Sequence, residues 1–125
     1  LSGGQAARLA LARTLCHGKP VLVLDDPFSA LDRNTEKQVF EHVKELSKDR
    51  IVFLISHRLY LFPEFDQVIW MDQKMGTCSS HERLMAENPQ YAELYRAQVS
   101  EKDENILSSE KKDHPDGAQK YEDIE

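Results

Sequence analysis

Three side chains capable of acid–base and cation chemistry stand at the ends of two apolar runs. Asp25 and Asp26 close the stretch VLVLDD, and His57 follows RIVFLIS. A short, continuous apolar run ending in polar groups reads as a strand buried on both faces of a parallel sheet. In such sheets ligands sit beyond the carboxyl ends of the strands, where all three side chains fall. One carboxylate to hold a cation, a second to orient or deprotonate water, and a histidine at a terminal phosphate together suit Mg-dependent phosphoryl transfer. Taken singly, each has a plainer explanation: an aspartate after a strand is commonly a turn residue, and a lone histidine commonly packs or caps. The pairing of strand ends makes the chemical reading the stronger one.

A fourth group lies in the opening LSGGQAARLALARTL. Two adjacent glycines, Gly3 and Gly4, permit close backbone approach. The following segment is rich in Ala, Leu and Arg, all strong helix formers, with Leu9, Ala12, Leu15 and Cys16 on one stripe. Ser2 is a candidate cap, and a capped helix start presents N–H groups suited to an anion. A bare S-G-G string would by itself mean only a cap with a flexible lead-in.

These residues need a scaffold, and the pattern supplies one. HGKP provides a glycine stop and a proline after the first helix. VLVL is the first strand, PFSALD a loop, and residues 34–48 a helix with Val39, Phe40, Val43 and Leu46 on one face. IVFLI is the second strand and QVIWMD a third, followed by a QKMG turn. Short helices are expected at 81–87 and 89–98. Strand, helix, strand implies a parallel sheet with helices on its faces, hence an α/β fold.

Composition narrows the class. The chain has 125 residues, room for one modest domain, and no apolar run of membrane-spanning length. Cys16 and Cys78 lack metal-type spacing, so neither zinc nor a disulfide framework is expected and a reducing compartment fits. Net charge is −6, of which residues 101–125 carry −5. The remainder is near neutral, with no basic footprint for nucleic acid. Residues 99–125 are acidic, poor in large apolar side chains and aperiodic, and read as a disordered tail.

LSGGQ before a helix, then VLVLDDP, SALD and SHR in that order, resembles the ATP-binding (nucleotide-binding) domain of ABC transporters. The four stretches match the signature, Walker B strand, D-loop and H-loop. SSHERLMAENPQYAELYRAQ is similar to the end of exporter-type domains, so the resemblance spans residues 1–98. It implies a P-loop NTPase fold, ATP and Mg²⁺ as ligands, and ATP hydrolysis coupled to export. It also implies a transmembrane domain as partner and a location on the cytoplasmic face of the cell membrane. None of the five glycines forms G-x-x-x-x-G-K-[ST], so the chain is expected to be a fragment that is inactive alone.

The resemblance assigns roles by position. Ser2, Gly3, Gly4 and Gln5 would contact ATP held by a partner subunit, and Asp32 would reach across the same dimer. Asp25 would hold Mg²⁺, usually through water. His57 would contact the γ-phosphate. Arg58, Trp70 and His81 read as structural. Asp26 departs from the pattern, because the family usually has Glu there. Its side chain is shorter by one carbon–carbon bond, about 1.5 Å, and a misplacement near 1 Å costs on the order of 100-fold in rate. An intact signature beside a weakened base resembles one subunit of a heterodimer, with a degenerate site of its own. The alternatives are a soluble, non-transport ABC ATPase and a non-hydrolysing regulatory subunit.

Overall fold

The computed structural model describes residues 2–110, with side chains described through residue 106. The chain divides into two compact units, one ending at His57 and the other beginning at Arg58.

The first unit is built as α1 (Gly3–Cys16), β1 (Val21–Asp25), α2 (Arg33–Leu46) and β2 (Ile51–Ile55). α1 stops where expected: His17 caps it and Gly18 follows at φ 63°, the left-handed exit that glycine allows without a Cβ penalty. Its buried face is not the expected stripe. Leu11 is buried and Leu15 half-buried, whereas Leu9 and Cys16 are exposed. An Ala- and Leu-rich helix has apolar residues all round, so packing partners decide its inward face. Here those partners are Leu24 and Val43. α2 follows its periodicity closely, burying Phe40 and Val43 with Val39 and Leu46 half-buried.

β1 and β2 pair in parallel, Val21 opposite Ile51 through Asp25 opposite Ile55. Leu22 and Leu24 are buried, with Val52 and Leu54 partly buried beside them. The other face corrects the expectation of strands covered on both sides. Val21, Val23, Ile51, Phe53 and Ile55 are all exposed, Val23 and Ile51 at 60%. Alternate side chains of a strand point to opposite faces, and among the described residues both helices of this unit contribute to the core on one face.

The second unit carries a 3₁₀ helix (Leu59–Glu64), then β3 (Val68–Met71), β4 (Gly76–Ser79), α3 (His81–Glu87) and α4 (Pro89–Glu110). The third expected strand is therefore present but pairs antiparallel with β4, not with β1 and β2. The sequence reading contains no β4, because GTCS lacks large apolar residues. Asp72 sets up the hairpin, its Oδ1 accepting from the N–H groups of Lys74 and Met75 at 2.7 and 2.8 Å, a turn device open to Asp and Asn. Leu59, Val68, Leu84 and Tyr91 form this unit's core, with Phe62, Trp70, Met85 and Tyr95 packed against it.

α4 corrects the boundary drawn at residue 98. It runs 22 residues to Glu110, so residues 99–110 are helical. The continuation EKDEN carries helix-forming Glu and Lys, and Lys102 Nζ lies 3.8 Å above the Tyr60 ring, a cation–π contact tying the added turns down. The rest of the expected tail, 111–125, lies outside the described residues.

Candidate functional site

The candidate residues all belong to the first unit. At the start of α1, Ser2 and Gln5 make a capping box. Ser2 Oγ accepts from Gln5 N–H at 3.2 Å, and Gln5 Oε1 accepts from Ser2 N–H at 3.0 Å. A helix leaves its first few N–H groups without intrahelical partners. The box satisfies those at its two ends, which leaves the amides of Gly3 and Gly4 directed out of the helix start. Ser2, Gly3 and Gln5 are exposed. Local sequence explains the form: serine is a preferred cap, glutamine three residues on completes the box, and neither glycine shields the amides with a side chain.

Gly4 has a second property. A Cβ placed on it would stand 3.0 Å from the carbonyl oxygen of Ala30. The helix start thus lies against the loop that follows β1, a contact that sequence spacing alone does not reveal.

Asp25 ends β1 on the exposed face, in line with Val21 and Val23. Asp26 continues the ladder by one bond, its N–H donating to Ile55 O at 2.7 Å. His57 follows Ile55 by two residues and is exposed. Both carboxylates and the imidazole therefore stand at the same end of adjacent parallel strands, as the pattern implied. Asp26 adopts φ 45°, alone among the described non-glycine residues in being positive. That region favours Asp and Asn over most other side chains. Its carbonyl accepts from Ser29 N–H at 3.4 Å, and Leu31 N–H donates to Phe28 O at 3.0 Å. Phe28, fully buried, meets Phe40 edge-on at 6.2 Å between centroids, so the loop is anchored in the core.

Asp32 is the N-cap of α2. Its Oδ1 accepts from Thr35 N–H at 2.9 Å and its Oδ2 from Thr35 Oγ1–H at 2.8 Å. These bonds, the backbone one first, hold its carboxyl below the usual carboxylate value. The capping role alone accounts for an aspartate here, and it leaves the side chain exposed at the loop's end.

Among the described residues no three His, Cys, Asp or Glu side chains group as a metal cage. A single exposed carboxylate, Asp25, nevertheless fits Mg²⁺, which keeps waters and takes phosphate oxygens as further ligands. A concavity of about 660 Å³, lined by Trp70, Met71, Asp72, Gln73, Lys74 and Gln90, contains none of the candidates.

Arg58, Trp70 and His81, expected to be structural, all lie in the second unit. Arg58 precedes the 3₁₀ helix and its Nη1–H donates to Tyr60 Oη at 3.5 Å. Trp70 packs edge-on to Tyr91 at 5.6 Å. His81 opens α3, its Nδ1 hydrogen bonded to the Tyr91 hydroxyl at 2.8 Å and its ring 4.6 Å from that of Tyr95. Burial first, then the charges of Tyr95 and Glu82, pushes the Tyr91 hydroxyl up to about 12.

No family model matches the chain. Curated relatives do. The chain is 39% identical over 103 residues to the glutathione/L-cysteine transport system ATP-binding/permease protein CydC of Bacillus subtilis (strain 168). It is 43% identical over 102 residues to the ATP-dependent lipid A-core flippase of Haemophilus ducreyi. It is 41% identical over 110 residues to the beta-(1-->2)glucan export ATP-binding/permease protein NdvA of Rhizobium meliloti. These alignments cover 82%, 81% and 87% of the chain but only 18%, 18% and 19% of the relatives. The chain thus spans under a fifth of the length of the curated relatives it matches. Among solved structures, a bacterial Atm1-family ABC exporter with ATP bound superposes at TM-score 0.71 and 33% identity, over 78% of this chain and 17% of the exporter chain.

Proposed function

The chain belongs to the ATP-binding family of ABC exporters, and from that premise we propose that it contributes to two composite ATP sites of a membrane exporter. In one site its Ser2, Gly3, Gly4 and Gln5 act on nucleotide held by a partner ATP-binding subunit, with Asp32 reaching toward the same partner. In the other, Asp25, Asp26 and His57 serve nucleotide held by the protein that carries this chain. The complete protein would work with a transmembrane domain, on the cytoplasmic face of the membrane, without nucleic acid as a partner. The relatives' names as export and transport ATP-binding/permease proteins support this reading over a soluble ATPase.

The observation that carries the proposal is the capping box at α1. With Ser2 and Gln5 bonded to each other's backbone, the Gly3 and Gly4 amides are fixed in direction before any ligand arrives. Preorganised donors aimed at developing charge stabilise a transition state without reorganisation. Mg²⁺ bound with ATP would supply neutralisation of the negative charge on the phosphates. Asp25 would hold that cation through water, and His57 would donate toward the terminal phosphate. Asp26 stands where a base would act, but its short side chain must bring an oxygen within about 2.6–3.2 Å of the water's proton. The site using Asp26 is therefore the slower of two, and the partner subunit is a different chain with glutamate at that position.

Steady-state Mg-ATP hydrolysis by the reconstituted exporter tests this. Replacing Ser2 with Ala, or Gly4 with Val, is expected to remove most turnover, while Asp26→Asn changes it by less than about threefold, since a group that is displaced by about 1 Å already contributes little. Should Asp26→Asn silence hydrolysis as fully as the signature variants do, Asp26 is a working base and the unequal-site reading fails.

A further inference from the structure

The loop between β1 and α2 touches both halves of the proposed machinery. It leaves the sheet at Asp26, whose φ of 45° turns the chain out of extended geometry in one residue. The Asp26 N–H bond to Ile55 O fixes where that turn starts. Buried Phe28 and Leu31 fix where the loop goes next. Ala30, between them, presents its carbonyl to Gly4 so closely that an added methyl would stand 3.0 Å away. Either the loop or the first turn of α1 would then have to yield by a few tenths of an ångström. Neither yields readily, the loop being anchored by Phe28 against Phe40 and the helix start by its capping box and Leu11.

We infer that Asp26 is a positioning residue for the Gly3–Gly4 amides: its left-handed backbone sets the Pro27–Leu31 loop, and the Ala30 carbonyl seats Gly4 against that loop. This rests on the proposed function and extends it. The carboxylate end of one site and the amide end of the other are joined through the close approach of Gly4 to the Ala30 carbonyl inside one chain. Gly4 is required for that seat independently of any nucleotide. Asp26 acts at a distance through its backbone, whatever its carboxylate does nearby.

The test is reciprocal and uses the complete exporter. Hydrogen exchange is followed at the amides of residues 2–6, of residues 27–31, and of β1 and β2. Asp26→Val, which places a β-branched residue at positive φ, is expected to speed exchange in both loop and helix start about tenfold. Asp26→Asn and Asp26→Gly, which tolerate that φ, are expected to retain the native rates there. Gly4→Ala is expected to loosen residues 27–31 although it lies more than twenty residues away in sequence. In hydrolysis, Asp26→Val is expected to lower kcat about 10- to 100-fold, as misplaced donors do, with KM for ATP little changed.

The inference is overturned if Asp26→Gly loosens residues 2–6 as much as Asp26→Val, or if Gly4→Ala disturbs only its own turn. Faster exchange in β1 and β2 as well would assign the effect to the fold and overturn it too, as would an Asp26→Val defect confined to KM. If Ser2→Ala leaves hydrolysis untouched, the proposed function fails. The exchange measurements need no nucleotide, and they decide the positioning role separately.

Discussion

The Tyr91 hydroxyl lies 2.8 Å from His81 Nδ1, joining the starts of α3 and α4 through two side chains rather than through backbone. Tyr91 is fully buried, so its hydroxyl has no water to turn to. Tyr91→Phe is expected to cost about 1 kcal/mol, the usual net contribution of one hydrogen bond, seen as faster amide exchange in both helices. The Tyr91 hydroxyl is raised from 10.0 to about 12. Its contribution is therefore complete below the unfolded value near 10 and disappears as pH climbs through 12. In Tyr91→Phe that alkaline loss should shrink; an unchanged alkaline profile would refute the assignment.

Asp32 permits the opposite titration. Its carboxyl is held below 3.8, first by the Thr35 backbone bond and then by the Thr35 hydroxyl. The cap is thus at full strength above the unfolded value and weakens as pH falls through the lower folded one. Asp32→Asn should preserve the α2 N-terminus at neutral pH, since asparagine caps comparably, and Asp32→Ala should fray it. Circular dichroism and amide exchange at residues 33–37 would show the difference. A hydrolysis defect in Asp32→Asn with the helix intact would separate a partner contact from the cap.

Taken alone, the 125 residues are expected to show no specific Mg-ATP binding, because the sequence contains no G-x-x-x-x-G-K-[ST] segment. Calorimetric titration of the isolated chain is the measurement, and micromolar affinity would contradict the trans-acting reading of Ser2 to Gln5.

The isolated chain should also be poorly soluble. Val21, Val23, Ile51, Phe53 and Ile55 form a contiguous apolar surface on two paired strands, and such patches promote association. Val23→Lys or Phe53→Lys is expected to raise the soluble fraction while leaving the far-ultraviolet dichroism unchanged. No gain in solubility would mean that association runs through another surface.

Local rules made much of this legible beforehand. Ser2 as a cap, the glycine exit at Gly18, the apolar face of α2 and the strand ends at Asp25 and His57 all follow from short-range pattern. Failures arose where distant packing decided. α1 buries Leu11 rather than Leu9 because Leu24 and Val43 lie on that side. β4 has no sequence signal because its four residues carry almost no hydrophobic side chains, although the QKMG turn before it is legible and Asp72 proves to close it. The extension of α4 brings Lys102 over Tyr60, a contact between residues far apart in sequence. Neither the positive φ of Asp26 nor the Gly4–Ala30 approach has a sequence signature beyond the residue types that tolerate them.

The capping box also fixes what the Ser2 hydroxyl has left to give. Its oxygen accepts from Gln5 N–H, which leaves its hydrogen free to rotate outward, and a hydroxyl that accepts one bond becomes a stronger donor in the next. Aspartate would cap this helix as well, but it has no proton to offer and would meet a phosphate with charge of the same sign. At this position serine holds the helix start together and keeps a proton to donate with the same atom.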